Sequence, residues 1–141
     1  IDAFKKYIEN RDKIKNDGVI QYSGLTKDVR PLIEDSSVVV LPSYYGEGIP
    51  RSLLEAMAMG RAIITSNSVG CRETINTHLN RINGFLVPVK HVKQLVFKME
   101  HFIKYPNDIK RFGLNGRAYA EEKFDVKKVN TQMRQILTDS P

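Results

Sequence analysis

The chain has 141 residues, 41% of them hydrophobic and 27% charged, with a formal net charge of +6 and one cysteine, Cys71. That is enough sequence for one domain with a real core, and the composition is that of an ordinary globular protein. A single cysteine excludes an internal disulfide, no apolar run approaches the ~20 residues of a membrane span, and the opening Ile1-Asp-Ala-Phe-Lys-Lys lacks a signal-peptide pattern.

Residues 1–16 are predicted as an amphipathic helix, with Phe4, Tyr7, Ile8, Arg11 and Ile14 at helical spacing, stopped by Asn16-Asp17-Gly18. Val19 to Tyr22 reads as a short strand turned by Ser23-Gly24. Thr26 is the expected N-cap of a helix over Lys27 to Glu34, short or kinked because Pro31 lies inside it. Ser37 to Leu41 is a β-branched run, apolar on both faces, as in a central strand of a covered parallel sheet. A helix over Pro50–Met59 follows, then a buried strand at Ala62 to Thr65, a polar loop at Ser66 to Gly70, and a short helix at Cys71 to Thr77. Asn83-Gly84 is predicted as a tight turn before a strand at Phe85 to Val87. Val92 to Tyr105 is a helix with Leu95, Val96, Met99, Phe102 and Ile103 on one face. Pro106 opens another through about Glu122, and Val126 to Leu137 is the last.

Strands alternating with helices predict an α/β fold: a Rossmann-like parallel sheet of about four strands, flanked by helices on both faces, in one domain. Ligands of such sheets bind beyond the carboxyl ends of the strands, where the Pro42–Gly48 loop lies. Gly46 and Gly48 flank Glu47, Pro50 suits the first turn of a helix, and Ser52, Leu53 and Leu54 would present backbone N–H groups without helical partners. A diphosphate is stabilised at such a helix end. Glu55, further along the helix, offers a carboxylate to a ribose diol, and Glu47 offers one to the other end of a diphosphate-linked sugar. On spacing alone, two glutamates near a helix start also serve as dipole partners or solvated side chains.

The run Pro42-Ser43, Glu47-Gly48-Ile49-Pro50, Ser52-Leu53-Leu54-Glu55-Ala56-Met57-Ala58 and Gly60 resembles the signature of family 4 glycosyltransferases. Flanking pieces agree: Val19 to Gly24, Ser36 to Val40, Ala62 to Ser66, Gly70 with Glu73, and Asn83 to Val87, so the likeness covers about residues 17 to 122. The resemblance implies a retaining enzyme of the GT-B fold, with two Rossmann-like domains, of which this chain is most of the C-terminal donor-binding one. By that likeness Glu47 contacts the transferred sugar, Glu55 the nucleotide ribose, and the backbone at Gly48, Ile49, Pro50, Ser52 and Leu53 the sugar and diphosphate. Gly24 and Leu25 fall in the segment beside the base. Arg61 stands where proline or lysine is common. The family's basic pair on the diphosphate and its N-terminal acceptor domain are expected upstream of Ile1, so this chain alone is expected to be inactive.

The implied donor is a nucleotide-diphosphate sugar, a UDP-sugar favoured, and the acceptor a sugar or lipid-linked sugar held through the missing domain. Retaining transfer by this fold demands no side-chain nucleophile here. No cofactor or metal is expected, because no Asp-x-Asp pair or ligand-spaced His/Cys cluster occurs. The basic balance is that of solvated helix surfaces with some affinity for phosphate; it also fits an enzyme docked on the cytoplasmic face of an anionic membrane, and no nucleic-acid-binding pattern accompanies it. A non-catalytic Rossmann-like interaction domain is the alternative. A nicotinamide-dependent oxidoreductase is disfavoured, since no Gly-x-Gly-x-x-Gly follows a strand. His78, His91 and His101 are expected in structural or solvent roles, Cys71 as a packed small residue, Glu73 as a brace of its turn, and Arg72 at the surface. Tyr44 and Tyr45 are placed at the cleft or in packing.

Overall fold

The computed structural model describes residues 21, 23–46 and 48–138, Leu137 by its backbone alone. The predicted helix over residues 1–16 and most of the predicted strand at Val19 to Tyr22 lie outside the described residues. The described elements are α1 (Arg30–Asp35), β1 (Val38–Leu41), α2 (Arg51–Ala58), β2 (Ala62–Ser66), β3 (Gly84–Val87), α3 (Val92–Lys104), α4 (Pro106–Lys123) and α5 (Val126–Thr138), with short 3-10 turns at Arg72–Thr74 and Leu79–Arg81. The expected α/β fold is what forms: a parallel sheet in the order β1-β2-β3 with helices on both faces. Val38 pairs with Ala62 and Ile63 with Gly84, so all three strands end at the same edge.

Strand alternation divides the core. Ile63 of β2 packs with Leu53, Ala56 and Met57 of α2, and with Cys71 and Ile75. Ala62 and Ile64 point the other way, to Val87, Phe102 of α3 and Phe112 of α4. Every β2 residue is buried, whereas β1 is only half-buried. Among the described residues β2 is therefore the central strand and β1 borders it.

Several boundaries differ from expectation. Helix α1 begins at Arg30 rather than Lys27, because Pro31 occupies its first turn, where a missing N–H costs nothing. Thr26 caps no helix; its hydroxyl closes a turn with Asp28. The expected helix at Cys71 to Thr77 shrinks to a 3-10 turn, since the buried Asn83 side chain claims its backbone, donating to the Thr74 carbonyl and accepting from the Asn76 N–H, both at 2.8 Å. Asn83-Gly84 is thus a clamp and a strand start rather than a turn. Glycine is required at 84 because a Cβ there would lie 2.1 Å from the Ile63 carbonyl oxygen. On α3 the expected apolar face is only partly used: Phe102 is buried, while Val96 and Ile103 are exposed. No described helix is long and apolar enough to cross a membrane.

Candidate functional site

Helix α2 is positioned from both ends. Its C-terminus closes on Gly60 in the left-handed region (φ +69°), with Gly60 N–H donating to Met57 and Arg61 N–H to Ala56. That is a Schellman motif, for which glycine is the residue of least cost. The Gly60 carbonyl lies against Gly113 of α4, where a Cβ would meet it at 2.1 Å. The Arg117 guanidinium of α4 also donates to the Ala58 carbonyl.

At the other end Pro50 is the N-cap itself, one position earlier than expected, and no side chain caps this terminus. Of the three N–H groups expected to be unpaired, Leu53 and Leu54 donate to the Pro50 carbonyl at 3.1 and 3.3 Å. The Leu53 amide is therefore committed within the helix, and Ser52, exposed, is left to face outward. Leu53 and Met57 do face the sheet as expected, but Leu54 lies beneath α4, with Ala120 and Phe124.

Glu55 is half-buried, and its Oε1 is 3.2 Å from Arg51 Nε, one helical turn back. It stands on the wall of a cavity of about 600 Å³ whose other lining residues are Lys27, Asp28, Val29, Arg30 and Arg51. Asp28 holds Arg30 through a two-pronged ion pair, the closest contact 2.8 Å, and the hydrogen bonds from Arg30 pull the Asp28 carboxyl down to about 2. Glu55 adds a smaller electrostatic pull on Arg30. A second cavity of about 430 Å³, between α2 and the end of α4, shares Arg51 and Glu55 with the first.

The residues expected at the site divide. Ser52 and Glu55 lie on one helix, with Pro50 at its cap and Gly48 and Ile49 just before it. Glu47 lies outside the described residues. Gly24 has φ +68° and Leu25 is fully exposed, and neither lines the cavity. Lys27, Asp28 and Arg30 from the same segment do line it, and no sequence motif singled them out. The signal was a lysine and an arginine three residues apart, legible only once Pro31 is seen to delay the helix to Arg30 and leave Lys27 and Asp28 on the loop before it.

A model of the family "Glycosyl transferases group 1" matches residues 2–119. The chain belongs to that family. Its fold is that of the C-terminal domain of a GT-B glycosyltransferase. The chain is 39% identical over 84 residues, 60% of its length, to the N,N'-diacetylbacillosaminyl-diphospho-undecaprenol alpha-1,3-N-acetylgalactosaminyltransferase of Campylobacter jejuni, of which it covers 21%. It is 26% identical over 116 residues, 79% of its length, to the amylovoran biosynthesis glycosyltransferase AmsK of Erwinia amylovora, covering 28% of that protein. Among solved structures it resembles HepE of Anabaena, crystallised in complex with UDP, at a TM-score of 0.85 and 22% identity, covering 99% of this chain and 37% of that one. The chain thus spans about a fifth to a third of the relatives it matches.

The remaining candidates of this group 1 domain sit in structural roles. Cys71 is buried, and Glu73 braces its turn against α4 through Lys123, 3.6 Å away. His91 accepts from the Gln94 N–H at the start of α3. His101 donates to Asp108 at 2.8 Å, and its ring meets Phe85 edge-on and Tyr105 at a tilt. Arg72 is exposed, with Nε directed to the Ser68 carbonyl at 3.4 Å.

Proposed function

We propose that this domain binds the nucleotide-diphosphate sugar donor, a UDP-sugar favoured, of a retaining family 4 glycosyltransferase. The observation that carries the reading is Glu55. Its carboxylate stands on a cavity wall beside the uncapped end of α2, with Lys27 and Arg30 across the same cavity. A carboxylate there accepts from a ribose diol, while the helix end and the cations attract a diphosphate. The UDP complex of the structurally similar Anabaena protein supports the same ligand class.

On this reading Glu55 holds the ribose, and the backbone at Gly48, Ile49, Pro50 and Ser52 meets the sugar and diphosphate. Leu53 contributes by anchoring α2 in the core rather than through its committed amide. Glu47 contacts the transferred sugar. A Cβ at Gly46 or Gly48 would touch nothing within 4 Å, so packing does not demand glycine at either position, and close ligand approach accounts for both. The domain's contribution to transfer is electrostatic stabilisation of the departing diphosphate by fixed dipoles and cations, with no step assigned to a resident metal.

The acceptor, a sugar or lipid-linked sugar, belongs to the part of the protein outside this chain, and the pathway is assembly of a polysaccharide, capsule or lipopolysaccharide. The diphospho-undecaprenol-linked relative and the amylovoran relative support that class. The +6 charge supports docking on an anionic cytoplasmic membrane face, and flotation of the full-length protein with anionic liposomes tests it. Calorimetry of the full-length protein with UDP tests the donor. Glu55→Ala is expected to weaken UDP about 10- to 100-fold, the loss of charge-assisted hydrogen bonds. Unchanged affinity would remove the ribose assignment.

A further inference from the structure

The loop between β1 and α2 has little packing of its own. At its start Thr65 Oγ1 donates to the Leu41 carbonyl at 2.9 Å, and at its end Pro50 caps α2. Between these anchors Tyr44, Tyr45, Gly46, Gly48 and Ile49 are exposed, and a Cβ at Gly46 or Gly48 would meet nothing within 4 Å. A tie to the other side of the sheet comes from Lys90, whose ammonium lies 4.8 Å from the centroid of the Tyr44 ring, within cation–π range. Tyr44 in turn stacks on Tyr45, centroids 4.2 Å apart, with a 2.8 Å hydrogen bond between their hydroxyls. Lys90 follows β3, so the contact joins the loops that leave the two outer strands of the described sheet, across the end of β2.

Lys90 stands where a lysine is costly. The His91 N–H donates to the Pro88 carbonyl at 3.2 Å, closing a four-residue turn in which Lys90 is third, with φ 60°. That turn position and that backbone favour glycine. Among the described residues Lys90 is the one non-glycine residue with a positive φ. Costly backbone of this kind persists where its surroundings or its function hold it, and the side chain presented here is the one that reaches Tyr44.

We propose that Lys90 is a positioning residue of the donor site, which pins the loop ahead of α2 through the Tyr44 ring. The inference rests on the donor reading above, in which the backbone at Gly48, Ile49 and Pro50 meets the sugar and diphosphate. A third anchor at Tyr44 divides the free span between Leu41 and Pro50, so the loop explores fewer conformations before ligand arrives. Freedom already removed is not lost again on contact, and affinity rises accordingly. Lys90 itself touches no ligand in this role.

The test pairs ligand-free amide hydrogen exchange with UDP calorimetry, both on the full-length protein. Lys90→Ala removes the ammonium and keeps a side chain on the left-handed backbone, whereas Lys90→Gly removes the ammonium and the strain together. Both are expected to speed exchange in residues 42–49 about threefold and to weaken UDP about threefold, the size of an exposed cation–π contact, with exchange in α2 unchanged. Lys90→Gly is expected to unfold no earlier than wild type on heating, since glycine suits the turn. Lys90→Arg, which keeps a cation, is expected to retain wild-type exchange and affinity. Tyr44→Ala is expected to weaken UDP to the same degree, and Lys90→Ala to add nothing in its presence. UDP affinity unchanged in Lys90→Gly would overturn the proposal, whatever the exchange shows. So would losses from Lys90→Ala and Tyr44→Ala that multiply in the double variant, because the lysine would then act elsewhere. Failure of the wild-type protein to bind UDP would overturn the donor reading and the positioning role with it, a result distinct from the other two, which both require wild-type binding.

Discussion

At the scale of single residues, Asn83 shows how much one buried side chain can organise. Its amide is fully buried and satisfies the Thr74 carbonyl and the Asn76 N–H together. Removing it strands two buried backbone groups, each costing about 1–3 kcal/mol. Asn83→Ala is therefore expected to lower stability by about 3 kcal/mol in urea unfolding, whereas Asn83→Asp is expected to keep the acceptor half of the clamp and lose the donor half. Glu55 is the opposite kind of residue. Half-buried and paired with the exposed Arg51, it is expected to change ligand affinity on substitution and leave the unfolding free energy within about 0.5 kcal/mol of wild type. A Glu55→Ala protein that unfolds much earlier would make this carboxylate structural.

Between elements, contacts are set where backbones come closest. Helices α2 and α4 meet at Gly60 and Gly113, and the 2.1 Å separation that a Cβ at 113 would have from the Gly60 carbonyl leaves no room for alanine. Gly113→Ala is expected to push α4 away from α2, costing about 1–3 kcal/mol as overpacking does, measurable by thermal unfolding. Helices α3 and α4 are joined differently. Asp108 accepts from His101 and from Arg111, and the hydrogen bond from His101 holds its carboxyl below the ordinary carboxylate range against the opposing effect of burial. A carboxyl depressed in the folded state stabilises above its unfolded value, near pH ~3.9, and that contribution is lost as pH falls through the folded value. The stability advantage of wild type over Asp108→Asn is therefore expected to hold at neutral pH and to narrow as pH falls below about 4. A gap that does not change with pH would exclude this link. The helices themselves were legible in the sequence: α4 and α5 begin where predicted, at Pro106 and Val126, because a proline start and 3.6-residue periodicity are local signals. The 3-10 turn at Arg72–Thr74 was not, because the residue that claims its backbone, Asn83, lies nine positions beyond Thr74.

For the whole molecule, the Glu55 cavity lies between the segment before β1 and helix α2, which connects β1 to β2. The chain covers 21% and 28% of the two glycosyltransferases compared above, and the proposed reaction needs a cleft between two domains. On that reading the 141-residue chain supplied with a UDP-sugar and an acceptor glycoside is expected to release no UDP beyond the spontaneous rate, while the full-length protein does. Turnover by the short chain would place the acceptor site within these residues.

The sequence by itself determined the parallel α/β fold, the α2 segment with its glycine stop, and membership among GT-B glycosyltransferases. These depend on apolar periodicity, on proline and glycine, and on a contiguous motif, all of which are read over short spans of chain. Only the tertiary structure decided that Lys27 and Arg30 share a cavity with Glu55 and that Lys90 reaches Tyr44. Each of these depends on which distant segments meet, and a one-dimensional pattern carries no distance between residues that are far apart along it.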